Sequence, residues 1–85
     1  ADLTREVPGL DAGQVSVRPG SPYVDRPLGD TQARTRSGSS IVAIVRGDDV
    51  LPSPGPAEPV RAGDVLVVIG TAEGIGKVTA ILEKG

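Results

Sequence analysis

The chain lacks the side chains that build the commonest metal and redox sites. Its 85 residues include no cysteine and no histidine. A disulfide is therefore excluded, and so are the usual zinc and iron sites. Because no nucleophile–base pair can be assembled from the residues present, we expect a domain that is not an enzyme and that has no metal or cofactor.

Aromatic residues and basic tracts are also scarce. Tyr23 is the only aromatic residue, so the base-stacking platform of single-strand binders is missing. Nine basic and eleven acidic residues give a net charge of −2, and the basic residues are spread along the chain. Neither DNA nor RNA is an expected partner. The absence of cysteine fits a cytoplasmic location.

Long apolar segments are missing as well. The longest aliphatic runs have five residues, whereas about 20 are needed to cross a bilayer. A domain of this size buries only ~60% of its unfolded surface. With no disulfide or metal to add stability, a self-associating surface is the most economical way to enlarge the core. We therefore expect a homodimer.

The start of the chain predicts a piece of a longer protein. The sequence begins at Ala1 within a polar, helix-like stretch over residues 2–7, which Pro8 and Gly9 end. We expect residues 1–13 to be the end of a connecting helix and a linker from an upstream region. Residues 14–85 are then the folded domain.

Two aliphatic runs, residues 41–45 and 65–69, predict neighbouring buried strands. Four prolines fall within residues 52–59 between them. Proline has no amide hydrogen and fixes φ, which excludes a helix or a central strand there. Stiff loops on rigid strands are common places for binding surfaces. The strands are expected at 40–46, 49–51 and 64–69.

Capping and turn residues mark the other elements. Asp30 is the expected N-cap of a short helix over residues 31–37, and Gly38 is placed to end it. Thr71 is the expected N-cap of a closing helix over residues 72–83. A further strand is expected at 15–18, extended chain at 23–29 with Val24 and Leu28 pointing inward, and the buried helix face at Ile75, Val78, Ile81 and Leu82. The element order is β-α-β-β-β-α, a small α+β sandwich.

Two stretches near the last expected strand are similar to known cofactor-binding motifs. Residues 70–77 follow a strand and open a helix, as a phosphate-binding loop does. However, five residues separate Gly70 from Gly76 where the motif has four, and Val78 replaces the Mg²⁺-binding Ser or Thr. A strand-to-helix turn is favoured. Residues 60–67 resemble a string in lipoyl-type carrier domains, but no lysine lies at a hairpin tip, so this reading stays an alternative.

The remaining candidates are charged clusters. Asp48, Asp49 and Asp64 are interpreted as solvated turn residues and not as acid–base or cation-binding groups, because no His, Cys or Tyr lies near them in the sequence and the ligand count is too low for a cation. Arg34 and Arg36, followed by several serines, could form an anion site. Taken alone, a solvated helix face is the favoured interpretation of these two arginines.

Several strings together resemble the TrkA-C domain, the C-terminal domain of regulators of K⁺ conductance. They are the Gly-Ser-Pro opening at residues 20–22, the aliphatic strand ending in Arg46-Gly47, the proline loop, and the Gly-Asp start of the last strand at Gly63. The resemblance covers residues 14–83. Within this family, the sequence most resembles the regulatory subunit of bacterial cation/proton antiporters. It implies a cytoplasmic, dimeric, non-catalytic domain that senses a ligand for a membrane antiporter subunit or K⁺ transport system.

In several TrkA-C domains the dimer cleft binds cyclic di-AMP, and the resemblance implies where that ligand would bind. Arg34 corresponds to the arginine that grips a phosphate. Some members of the family carry Asn at the position of Ser40 and Ile at that of Ala33. A module that only holds the dimer together remains the alternative. The implied ligand-binding residues are Leu28, Ala33, Arg34, Ser40, Ile41, and Pro54 and Pro56 in the loop.

Overall fold

The computed structural model describes residues 8–85 as one antiparallel sheet with two helices packed on one of its faces. The helix expected over residues 2–7 lies outside the described residues. In chain order the elements are β1 (Asp11–Ser16), a 3-10 turn (Leu28–Thr31), α1 (Ala33–Ser37), β2 (Ser40–Arg46), β3 (Asp49–Pro52), β4 (Val65–Gly70) and α2 (Ala72–Lys84). The predicted α+β class and element order are confirmed.

The sheet has the strand order β1-β4-β2-β3, with every neighbouring pair antiparallel. The two aliphatic runs therefore form adjacent central strands, as predicted. β1 begins at Asp11, earlier than the strand expected at 15–18, and the predicted domain boundary at residue 14 stays a prediction. Ile41 pairs with Val68 and Ala43 pairs with Val67, so Val42 is an extra residue that makes a bulge in β2.

The two sheet faces differ in what covers them. The inner face carries Val15, Ile44, Leu66 and Val68, which are buried beneath the helices. α2 adds Val78, Ile81 and Leu82 to this core, and the partly buried Ile75 packs against Gly13. We call the opposite side the outer face; no described helix covers it. It is formed by Ala12, Gln14, Ser16, Ser40, Ala43, Val45, Val50, Pro52, Val65, Val67 and Ile69.

Helix ends match the predicted caps in two of three cases. The hydroxyl of Thr71 accepts a hydrogen bond from the Gly74 amide at 3.0 Å and begins α2. Gly38 ends α1 with φ of +75°. The predicted N-cap at Asp30 is wrong: Gln32, with φ of +48°, precedes α1 without a side-chain cap. Asp30 lies inside the 3-10 turn, where its carboxylate accepts a hydrogen bond from Arg26.

A tight contact joins the start of β2 to the start of α2. Ser39 is buried between Gly70 and Gly74, and a Cβ on either glycine would overlap the Ser39 hydroxyl. That hydroxyl has no hydrogen-bond partner among the residues that the structure describes. Both glycines are therefore required by the close approach of Ser39. The contact fixes the segment between α1 and β2 against the helix that closes the domain.

Candidate functional site

All seven residues singled out from the sequence as ligand-binding lie around one cavity of about 420 Å³. The 3-10 turn and α1 form one wall, the start of β2 forms the floor, and the proline loop forms the opposite wall. This volume is within the range of ~300–1,000 Å³ typical of small-molecule sites. The predicted residues that line it are Leu28, Ala33, Arg34, Ser40, Ile41, Pro54 and Pro56. That they bind a ligand stays a prediction.

The two arginines of α1 have separate environments. Arg34 is exposed at the cavity, and none of the ion pairs among the described residues involves it. Arg36 points elsewhere, where its guanidinium donates to the Tyr23 hydroxyl at 3.2 Å and the Thr31 carbonyl at 3.3 Å. The structure therefore does not bring Arg34 and Arg36 together at one site. Arg36 secures the fold, and Arg34 faces the cavity with its charge available to an anion.

Local hydrogen bonds hold the wall that carries Arg34. Thr31 is buried, and its hydroxyl donates to the Leu28 carbonyl at 2.8 Å and accepts from the Ala33 amide at 3.2 Å. The 3-10 turn is thereby tied to α1 across Gln32. Leu28 and Ala33 are themselves buried in the core, so they present only their outer edges to the cavity. The arginine is therefore presented from a well-supported wall.

The proline loop is held against the same segment by main-chain bonds. The Leu28 amide donates to the Glu58 carbonyl and the Gly29 amide donates to the Pro56 carbonyl, each at 2.8 Å. Pro27 and Pro59 form an isolated antiparallel bridge. A Cβ on Gly29 would lie 3.0 Å from the Pro56 side chain, so a larger residue here would require Pro56 to move by a few tenths of an ångström. The two walls of the cavity consequently form one connected unit.

An ion pair between the half-buried Arg46 and the buried Asp64 anchors the far end of the loop. Arg46 donates to the two Asp64 oxygens at 2.9 and 2.8 Å, and to the Pro59 carbonyl at 3.0 Å. Glu58 lies 3.7 Å from the same guanidinium. Asp64 is fully buried, so its interpretation as a solvated turn residue is wrong. Only the fold reveals its partner, which is 18 residues away in the sequence.

The ionisation of this pair follows from its contacts. Burial acts to raise the pKa of Asp64, but hydrogen bonds from Arg46 and from the Arg61 amide outweigh it, and the pKa lies below its ordinary value. Hydrogen bonding to Asp64 likewise raises the pKa of Arg46. The pair is therefore charged at neutral pH. It acts on the cavity only by holding the proline loop in place.

The cavity is also lined by four residues that the sequence did not indicate as ligand-binding: Gly29, Thr31, Gln32 and Thr35. Thr31 and Thr35 lie within one helical turn of Arg34, so their proximity in sequence was a usable signal. Gln32 has φ of +48°, a backbone conformation that no sequence pattern here indicates. Asp48 and Asp49 lie at the β2–β3 turn, and the described part of the chain holds no cluster of acidic side chains suited to a metal ion.

Comparison with known families gives a direct match. The profile of the TrkA-C domain family matches residues 13–83. The chain belongs to the TrkA-C domain family. Potassium channel protein 1 of Methanocaldococcus jannaschii is 32% identical over 56 residues, which are 66% of this chain and 17% of that protein. The chain thus spans only a small part of this relative's length.

Solved structures share the TrkA-C fold. The RCK_C domain dimer of S. agalactiae BusR in complex with c-di-AMP has a TM-score of 0.75 at 21% identity, covering 84% of this chain and 93% of that one. The KtrA RCK C domain in complex with cyclic di-AMP has a TM-score of 0.75 at 23% identity, covering 82% and 80%. The GsuK channel bound to NAD is 29% identical with a TM-score of 0.73, covering 87% and 14%.

Two further observations bear on possible partners. BusR has also been solved with its busAB-promotor DNA, and this TrkA-C domain covers 39% of that chain. Over residues 8–85, no helix has both the length and the apolar character that spanning a membrane requires. The expectation that nucleic acid is not a partner of this chain stays a prediction.

Proposed function

We propose that this TrkA-C domain binds cyclic di-AMP in a cleft between two copies of the chain and thereby regulates a cation transport system. The observation that supports the proposal is the grouping of all seven implied residues around one cavity, with Arg34 exposed at it. Two relatives of the same fold are described in complex with this ligand. The domain contributes recognition and conformational coupling and no catalysis.

The chemistry of the ligand suits this cavity. Cyclic di-AMP has two adenines and two phosphates related by a two-fold axis, and a symmetric dimer presents Arg34 twice. Each guanidinium would form charge-assisted hydrogen bonds with one phosphate. Apolar edges of Leu28, Ala33, Ile41 and the loop prolines would contact the adenines, and the Ser40 hydroxyl offers one hydrogen bond to a base.

Regulation requires the ligand to prefer one arrangement of the two subunits. A ligand shifts an equilibrium between arrangements only by its differential affinity for them. We propose that the partner is a membrane cation/proton antiporter subunit, which responds through segments outside this domain. Cation-dependent proton exchange in membrane vesicles containing the regulator and its partner should respond to cyclic di-AMP. Loss of that response in Arg34→Ala would link it to this cavity.

Isothermal titration of the dimeric protein with cyclic di-AMP tests the binding step. Arg34→Ala should weaken binding by roughly 3–6 kcal/mol, at least about 150-fold, because the substitution removes one charge-assisted contact from each of the two copies. Arg18→Ala is the matched control, since Arg18 is exposed and does not line the cavity. No heat from the wild-type protein at micromolar ligand would leave a purely structural dimerisation module as the function. Unchanged affinity in Arg34→Ala would show that the site is elsewhere.

Ser40→Asn provides the opposite change. Ser40 is exposed at the first position of β2, so a larger side chain can extend into the cavity without disturbing the core. An amide can donate and accept at once toward an adenine edge, and one additional neutral hydrogen bond is worth about 0.5–1.5 kcal/mol. Because both copies carry the substitution, titration of Ser40→Asn should show binding tighter by roughly 1–3 kcal/mol, about 5- to 150-fold. Weaker binding would mean that Ser40 does not face the base.

A further inference from the structure

A second groove, separate from the cavity, carries three cationic side chains. It lies between α1 and the C-terminal half of α2, has a volume of about 310 Å³, and shares no lining residue with the cavity. The chain as a whole has a net charge of −2, so three cations around one groove make a local surface of opposite sign. We call it the basic groove. Its lining residues are Arg36, Lys77, Ala80, Ile81, Lys84 and Gly85.

The two lysines of the basic groove keep most of their charge. Lys77 approaches Glu73 at 3.8 Å, but the two side chains are 55% and 83% exposed, so water screens this pair. Lys84 takes part in none of the ion pairs among the described residues. Its full charge also exceeds the partial negative charge, roughly one half, at the end of α2. The groove therefore has positive charge left for an acidic ligand.

The spacing of the two lysines indicates the length of that ligand. Lys77 and Lys84 are seven residues apart on α2, which places them about 10 Å apart along the helix axis. The surface between them is apolar, formed by the exposed Ala80 and the buried Ile81. A single carboxylate or phosphate would contact only one lysine. An extended peptide rises ~3.4 Å per residue, so acidic residues three positions apart match the spacing.

We propose that the basic groove docks an extended acidic segment of a partner protein. One acidic residue pairs with each lysine, and an apolar residue between them packs over Ala80. Charge complementarity supports this occupant, and the concave shape of the groove suits an inserted side chain better than a flat membrane surface. The inference does not depend on cyclic di-AMP, since neither lysine lines the cavity.

Amide chemical shifts of the isotope-labelled protein, titrated with the capped peptide Glu-Leu-Ala-Glu, test the docking. Shifts should cluster at residues 77–85 and at Arg36. Lys77→Gln and Lys84→Gln should each weaken binding about 2- to 5-fold, and together about 4- to 25-fold, because exposed ion pairs are individually weak. Added salt should weaken binding further. Arg36 is left unchanged, because its bonds to Tyr23 and Thr31 support the fold.

Matched controls separate charge from shape. The peptide Gln-Leu-Ala-Gln keeps the shape without the charges and should not shift these amides. The peptide Glu-Ser-Ala-Glu lacks the apolar residue and should bind more weakly than Glu-Leu-Ala-Glu. Arg18→Gln removes an exposed cation that does not line the groove, so it should leave the affinity for the peptide unchanged.

Several outcomes would overturn the inference. They are no shift at millimolar peptide, equal binding of the charged and uncharged peptides, unchanged affinity in the double lysine variant, and shifts confined to the cavity wall around Arg34. Binding to phosphatidylglycerol vesicles that requires both lysines, with no peptide shifts, would assign the groove to a membrane surface and would also overturn it. The lysine variants should titrate with cyclic di-AMP as the wild type does, so a failure of either proposal leaves the other intact.

Discussion

Arg46→Ala is expected to lower the free energy of unfolding by about 1.5–3 kcal/mol, the cost of losing charge-assisted hydrogen bonds to a buried carboxylate. The variant leaves the fully buried Asp64 carboxylate with only the Arg61 amide as a hydrogen-bond donor among the described contacts. It also removes the donor to the Pro59 carbonyl. A domain of this size has a total stability of roughly 4–12 kcal/mol. Urea denaturation followed by circular dichroism would measure the loss.

The pH dependence of this variant gives a second readout. In the wild type the pKa of Asp64 is lowered by folding, so the pair's contribution is present above the unfolded pKa of about 3.9 and is lost as pH falls through the folded value. Without Arg46, burial dominates and the pKa of Asp64 should rise above the unfolded value. The deficit of the variant should therefore shrink as the pH is lowered. A deficit independent of pH would contradict the role of the charge.

Arg61→Ala is the control for this experiment. Arg61 pairs with Asp25 at 2.7 Å, but both side chains are about half or more exposed. Exposed pairs contribute at most about 1 kcal/mol. Its main-chain bond to Asp64 is retained in the variant because only the side chain is removed. A loss in Arg61→Ala equal to that in Arg46→Ala would mean that burial of the pair is not what matters.

Gly70→Ala is the second large expected effect. The added methyl group would overlap the Ser39 hydroxyl and lie 2.8 Å from the Ser39 Cβ. The Ser39 Cα at 3.1 Å leaves the main chain little room to move away. We expect a loss of about 3 kcal/mol, the upper end of the usual range for overpacking. A thermal or urea unfolding curve would show it, and a loss below 1 kcal/mol would contradict the packing described.

Substitutions of Ser39 distinguish the contribution of its hydroxyl from that of its Cβ. Ser39→Ala alone should leave stability unchanged or raise it, because the hydroxyl it removes has no described partner. Combined with Gly70→Ala, it should relieve the overlap with the hydroxyl but not with the Cβ. Ser39→Gly should relieve both, at an entropic cost of about 0.5–1 kcal/mol. Additive effects in these double variants would show that the two positions do not touch.

Local patterns in the sequence predicted most of the fold. The two aliphatic runs, the Thr71 cap and the Gly38 end are each determined by neighbours along the chain, and each was confirmed. The wrong interpretation of Asp64 involves a contact between distant segments. Asp64 looked like a turn residue because its partner Arg46 is close only after β2 pairs with β4.

The residues around the cavity were also predicted only in part. The resemblance to TrkA-C domains indicated seven positions, and the structure places all seven together. Gln32 was missed because its side chain is placed by a left-handed backbone angle of +48°. The same residue, Gln32, precedes α1 in place of the N-cap that was expected at Asp30. An outer face without charge is visible only once the register assigns alternate residues to two sides, so no inspection of composition could reveal it.

The prolines that shape the cavity wall also limit how copies of this domain can associate. β3 is an edge strand of four residues that ends at Pro52, and Pro54 and Pro56 follow it. Prolines cannot donate to an incoming strand, and short edges give little to pair with. Addition of strands along this edge, which would continue without limit and lead to fibres, is thereby blocked.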